Sequence, residues 1–150
     1  MNFRPAKLGL LFTSFFLLDR IVKSYLISYP LGSELIVVIP GVFSIRTVFN
    51  TGVAFGLLRG YPQLLTVINV ILVLFIVVYT FKTENPRMKL WLTFILTGAV
   101  SNIVDRFIYG GILDYFDLSF WPTFNLADTY ITIGIIGIIF NAGIKRTERI

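Results

Sequence analysis

The chain has 150 residues, of which 56% are hydrophobic and only 14% charged, against about 45–50% and about 25% in ordinary soluble domains. A soluble core of this size cannot hide so much apolar surface, so much of it faces lipid, and the same wealth of aliphatic and aromatic residues excludes disorder. The net charge of +5 raises nucleic acid as a partner, but its distribution along the chain is that of a topology signal. Cysteine and histidine are both absent, which removes disulfides, thiolate nucleophiles, Ser–His triads and His-ligated zinc. Chemistry is left to Asp, Glu, Lys, Tyr, Ser and Arg, and no metal or cofactor is called for.

Four stretches are apolar and long enough to cross a bilayer, which takes about 20 residues. They cover residues 8–27, 64–81, 90–107 and 127–144. The first has the basic start (Arg4, Lys7) and apolar run of a signal peptide, but Asp19-Arg20 follows directly and no small-residue cleavage site appears, so a retained helix is expected. Between the first two helices, residues 30–60 hold β-branched and aromatic runs at 34–39 and 42–49, separated by Pro40-Gly41, a hairpin signature. Phe43, Ile45, Thr47 and Phe49 alternate with Val42, Ser44, Arg46 and Val48, so one strand face is expected to rest on lipid or helix ends. Residues 109–125 are dense in Tyr, Phe and Trp and read as a loop in the aromatic belt at headgroup level. The expected fold is an all-α polytopic membrane protein. It forms one domain over 1–150, with four transmembrane helices and a small extracytoplasmic β-hairpin subdomain.

Four crossings put both ends and the 82–89 loop on one side. That side carries Arg4, Lys7, Lys82, Arg87, Lys89, Lys145, Arg146 and Arg149 against only Glu84 and Glu148, while the remainder of the chain is slightly acidic. Basic short loops mark the cytoplasmic face. Both termini are therefore expected inside, the 30–60 and 109–125 connections outside, and nucleic-acid binding is not expected.

Ionisable residues at membrane depth are functional candidates by default. Asp19 and Lys23 stand four apart in the order that favours a helical ion pair, and a structural pair binding helices together is the simplest reading. Gly98, Asn102 and Asp105 fall on one stripe of the third helix, with Arg106 beside it. A structural polar network and a place in a reactive site are both open there. Asp128 has the position of a helix cap, and Asp114 and Asp117 that of solvated loop acids. If two such carboxylates converge they share a proton, one acting as base on water and the other as acid on a carbonyl oxygen. That device hydrolyses peptides without His, Cys or metal.

Four blocks then carry a resemblance: Asn50-Thr-Gly-Val-Ala-Phe-Gly56, Ser101-Asn-Ile-Val-Asp-Arg106, Gly111-Ile-Leu-Asp-Tyr115 and Phe124-Asn-Leu-Ala-Asp128. Together with Asp19 to Lys23, in this order and in a chain of this length, they resemble the lipoprotein signal peptidases (signal peptidase II), bacterial membrane aspartyl proteases. The resemblance implies cleavage of a signal peptide just before a diacylglyceryl-modified cysteine, with Asp114 and Asp128 as the catalytic pair and Asp117 outside it. It implies supporting or substrate-binding roles for Asn50, Gly52, Asn102, Asp105, Arg106 and Asn125, with Asp105 and Arg106 as candidates to lock the third helix. It further implies prolipoprotein substrates, membrane lipids as surroundings, inhibition by globomycin, and the bacterial inner membrane as location, with the site near the outer face; a monomer is expected. Three positions depart from the family pattern. Arg20 stands where Gln is common, Ser101 where Gly usually precedes the Asn, adding bulk at an expected close contact, and Tyr115 where Phe is usual. The alternative from another class is a small ion- or proton-coupled transporter using buried carboxylates.

Overall fold

The structure is a computed structural model and describes residues 4–52 and 61–147. In chain order the elements are α1 (Pro5–Leu26), β1 (Glu34–Ile39), β2 (Phe43–Asn50), α2 (Pro62–Lys82), α3 (Pro86–Tyr109), β3 (Ile112–Leu118), β4 (Trp121–Phe124) and α4 (Leu126–Thr147). Three helices begin earlier than their apolar runs because proline opens them, its missing N–H and fixed φ suiting a first turn. Asn85 caps α3 by accepting from the Arg87 and Met88 amides at 3.0 and 3.2 Å, so that helix starts four residues before the expected Leu90. It stops at Gly110, whose φ of 76° lies in the left-handed region and whose N–H closes on the Arg106 carbonyl.

Among the described residues, α2 and α3 are long and apolar enough to cross a membrane, with mean hydropathies of 2.7 and 1.2. Helix α4 offers a shorter apolar stretch, Leu126–Ala142, and α1 carries Asp19, Arg20 and Lys23 in its last two turns. Each of the four expected spans is a helix, and among the described residues two of them have the apolar length of a span.

Helix α3 is the hub and packs against all three others. Its seam with α4 is built on glycines. A Cβ on Gly98 would lie 2.1 Å from the Ala127 carbonyl oxygen, one on Gly134 2.5 Å from Ile95, and one on Gly137 2.2 Å from the Trp91 ring. Small residues let two backbones approach where no water-driven force pulls them together.

The strands form one antiparallel sheet in the order β1-β2-β3-β4. The expected hairpin, β1 with β2, is therefore only half of it. Residues 109–125, read as an aromatic loop, supply the other hairpin, and β2 pairs with β3 through Val48↔Asp114, Phe49↔Leu113 and Asn50↔Ile112. The expected alternation along β2 also fails. Pairing with β3 shifts between Ile45 and Val48, and a bulge that adds a residue turns later side chains to the other face. Ser44 and Thr47 are buried as a result, Thr47 donating to the Pro30 carbonyl at 2.8 Å. Leu26, Leu113 and Tyr115, with Val22, Ile45 and Leu126 around them, form the apolar joint that fixes the sheet to the ends of α1 and α4.

Candidate active site

The acids sit where the sheet meets the bundle. Asp114 is in mid-β3, 2% exposed, and both its oxygens accept from amides: Asn125 Nδ2 at 2.7 Å and Asn50 Nδ2 at 2.9 Å. Asp128 is in the first turn of α4. Its Oδ1 accepts from Asn102 Nδ2 at 2.8 Å, and its Oδ2 from the Asn125 backbone N–H at 3.2 Å. The Asn125 side-chain oxygen accepts in turn from the Asp128 N–H at 2.9 Å, a reciprocal cap of the kind that opens many helices. The N-cap is thus Asn125, and Asp128, expected to be the cap itself, is the third residue of the helix, completes that reciprocal pair and also faces the same cavity as Asp114. That cavity, of about 340 Å³, is lined by both acids together with Asn50, Gly52, Asn102 and Arg106.

These bonds fix which way each amide points. Gly52 N–H donates to Asn50 Oδ1 at 3.0 Å, so the Asn50 NH₂ must face Asp114. Asp128 N–H takes the Asn125 oxygen, leaving the Asn125 NH₂ for Asp114. A glycine at 111 permits this closeness of β2 and β3, since a Cβ there would meet the Phe49 ring at 2.7 Å and the Asn50 carbonyl at 3.0 Å. Burial, and next the nearby Asp128 carboxylate, push the Asp114 carboxyl up to about 7, against the lowering effect of the Asn50 and Asn125 amides and Lys23. A carboxylic acid that keeps its proton to neutral pH beside a second carboxylate is equipped for acid–base work.

Behind Asn102 lies a buried cluster of charges. Lys23 is 2.9 Å from Asp19 and 2.8 Å from Asp105, and Arg20 pairs with the other Asp105 oxygen. Asp105 is therefore held by α1 and not by Arg106, its neighbour in sequence. Arg106 instead reaches the Gly52 carbonyl at 3.3 Å. Ser101, expected to crowd the packing, is fully buried and donates to Asp19, whose other oxygen accepts from the Ala127 N–H at 3.2 Å. The close contact expected at Ser101 falls one turn earlier, at Gly98. The extra hydroxyl of Tyr115 also has a partner: its oxygen accepts from Leu126 N–H at 3.1 Å in the first turn of α4. Burial keeps that phenol protonated.

Asp117 is elsewhere. It lies three residues along β3, on Thr123 at 3.2 Å and Arg46 at 3.3 Å, and is partly exposed. Sequence reasoning missed Asn69, which lines the cavity from α2. A lone amide midway along the most apolar helix was the available signal. Of the block beginning at Asn50, residues 53–56 lie outside the described residues, as does the rest of the segment to Gly60.

The fold is shared with bacterial membrane enzymes. One such enzyme, solved by the in meso method at 2.3 Å resolution, aligns over 99% of this chain and 93% of its own with a TM-score of 0.86 and 28% identity. The family is narrower. The profile described as Signal peptidase (SPase) II, Peptidase_A8, matches residues 11–144, and the chain belongs to that family of aspartic peptidases. It is 40% identical to the lipoprotein signal peptidase of Halothermothrix orenii over 79% of this chain and 82% of that one. To that of Syntrophomonas wolfei it is 35% identical over 89% and 91%. A peptidase thus takes the place of the transporter alternative.

Proposed function

We propose that this chain removes the signal peptide from diacylglyceryl-modified prolipoproteins, cutting just before the lipidated cysteine, with Asp114 and Asp128 as a dyad that shares one proton. The observation that supports the dyad most is a buried Asp114 and a half-buried Asp128 facing one cavity, each carboxylate oxygen braced by an amide or backbone N–H. A water held between them loses a proton to the ionised partner as it attacks the scissile carbonyl. The protonated partner hydrogen-bonds the oxygen on which charge develops. Collapse of the tetrahedral intermediate then returns a proton to the leaving amine, and the pair is left with the single proton it began with. The experiment is direct: purified wild-type protein in lipid or detergent releases the signal peptide from a lipidated test substrate and leaves the unlipidated form largely uncut. No cleavage of either would refute the reading.

The whole chain acts as one domain in this reading, and the membrane arrangement follows from charge. All four helices cross, α1 and α4 tolerating their polar residues because these are buried against α3. Both termini lie in the cytoplasm, and the sheet lies at the outer face of the bacterial inner membrane, where water reaches the scissile bond. A second cavity of about 400 Å³, mostly apolar and lined by Val67, Val70, Ile71 and Phe107, shares Arg106 with the first. It supports lateral entry of the substrate's lipid and signal helix between α2 and α3. Reporters inserted near Asn85 or fused after Ile150 are expected to report cytoplasm, and those near Gly32 or Ser119 the outer face. A C-terminal fusion labelled from outside by an impermeant reagent would overturn the four-crossing arrangement.

Globomycin, an uncleavable lipopeptide, is expected to occupy the same cavity and to compete with substrate, whereas chelators and thiol or serine reagents leave the rate unchanged. Loss of activity with a chelator would count against a mechanism run by carboxylates. The protein is proposed to act as a monomer among membrane lipids.

A further inference from the structure

The reaction as described gives Lys23 no part, although it is one of the most deeply buried charges in the protein, 1% exposed. Its ammonium forms ion pairs with Asp19 Oδ2 at 2.9 Å and Asp105 Oδ2 at 2.8 Å, and donates a hydrogen bond to Asn102 Oδ1 at 2.9 Å. With Arg20 also on Asp105, two cations already balance two acids, so charge pairing does not require the third contact, to a neutral amide. That contact has a geometric consequence. An ammonium only donates, so the Asn102 oxygen must face Lys23 and its NH₂ must face away, onto Asp128 Oδ1 at 2.8 Å. The other brace on the Asn102 oxygen is long: Asn125 Nδ2 at 3.3 Å, from an amide already committed to Asp114 at 2.7 Å. Asn50 and Asn125 have their oxygens fixed by backbone N–H groups. Of the three amides that face the acids, Asn102 is the one oriented by a side chain from another helix.

We propose that Lys23 is a positioning residue for the peptidase reaction: it locks the Asn102 amide so that an N–H, and not the oxygen, is held on Asp128. The inference rests on the dyad reading above. If the lock is removed the amide is free to turn. Its oxygen then faces Asp128, an arrangement that only the protonated acid satisfies, and Asp128 is lost as a base. The charged groups around Asp128 are Asp114 from β3, Asp19 and Lys23 from α1, and Arg106 from α3. A clean test must keep their sum.

The paired substitution Asp19→Asn/Lys23→Met does so, removing one charge of each sign. The amide introduced at position 19 can still accept from Ala127 N–H and donate to Ser101, and no buried aspartate loses its only cation because Arg20 remains on Asp105. Cleavage of a lipidated peptide by the full chain is expected to fall in kcat on the order of 10- to 100-fold, the cost of a misaligned reacting group, with KM within about twofold. The rising limb of the pH–rate profile is expected to move to higher pH. In an Asn102→Ala background, the same pair is expected to cost no further activity, because the group through which Lys23 acts is gone. Losses that multiply in that background, or an unshifted profile, would overturn the role of Lys23 while leaving the dyad intact. Should the pair prove too unstable to purify, Lys23→Arg, which keeps charge but not the compact three-way geometry, is expected to lower kcat with the same shift, and unchanged kinetics there would overturn the proposal. A wild-type protein without cleavage would remove the dyad reading and Lys23's part with it.

Discussion

Asp114→Asn and Asp128→Asn are each expected to lower cleavage by about 10³–10⁴-fold, towards the upper range for loss of a positioned acid or base, with the protein still folded and inserted. Asn is nearly isosteric, but it neither takes a proton from water nor supplies one to the carbonyl oxygen. In Asp114→Asn the new NH₂ must face either Asn50 or Asn125, both of which present donors. In Asp128→Asn it meets the NH₂ of Asn102 or the N–H of Asn125. Each clash of donors costs about 1–3 kcal/mol, and removal of one of two neighbouring carboxylates offsets part of it, so thermal stability changes little. The double variant is expected to be hardly worse than either single one, since groups that work as one unit are not additive.

The wild-type rate should also pass through a maximum with pH. Because Asp114 is raised to about 7, the pair keeps its last proton to near neutrality. As pH rises beyond that, the proton is lost, the oxyanion loses its donor and the rate falls. As pH drops far enough to protonate both acids, the base is lost. The two apparent pKa values belong to the pair. Asp117→Asn, at the surface on Arg46 and Thr123, is expected to retain near-wild-type activity. Substantial turnover in either dyad variant, or an equal loss at Asp117, would refute the assignment.

The second large effect is expected at a residue with no chemistry. Gly98→Ala places a methyl 2.1 Å from the Ala127 carbonyl oxygen and 2.8 Å from the Ile131 side chain. The first obstacle is backbone, which cannot rotate aside. The α3–α4 seam must open by about 1 Å to reach ordinary contact, and overpacking of that kind costs about 1–3 kcal/mol. The functional loss should exceed the loss of stability. Ala127 directly precedes Asp128, and Asn102, one turn after Gly98 on the same stripe of α3, holds Asp128 across that seam. A displacement of about 1 Å between groups that must align costs on the order of 10²-fold in rate. Gly98→Ala should therefore lose at least that much activity while a measurable folded fraction remains, and Gly98→Val should not accumulate as folded protein. Near-wild-type activity of Gly98→Ala would show that the seam tolerates a side chain and that its closeness does not set the position of Asp128.

Several features of this protein were decided by composition and local pattern alone. Four helices follow from apolar runs too long for strands, with Pro at the starts of three and Gly110 at the end of α3 as explicit boundaries. The β1–β2 hairpin follows from two β-branched runs around Pro40-Gly41. The exclusion of His and Cys chemistry follows from their absence. All of these are local properties, legible because each residue carries its own signal.

What only the tertiary structure decided depends on partners far apart in the chain. The segment 112–118 was not legible as a strand because its β2 partners lie 62 to 75 residues earlier, across two helices, and its sequence Ile-Leu-Asp-Tyr-Phe-Asp-Leu alternates too poorly to announce one face. The burial of Ser44 and Thr47 hangs on a bulge, which shifts facing without leaving a mark in composition. Asp105 looked like the neighbour of Arg106 and is instead held by Lys23 and Arg20 from α1. Adjacent helix positions project about 100° apart and do not meet. Ser101 looked like surplus bulk and proves to be a donor to a buried aspartate. An unpaired charge at that depth costs several kcal/mol, so which side chains surround it is fixed when the helices dock, and the orientation of Asn102 towards Asp128 is fixed with them.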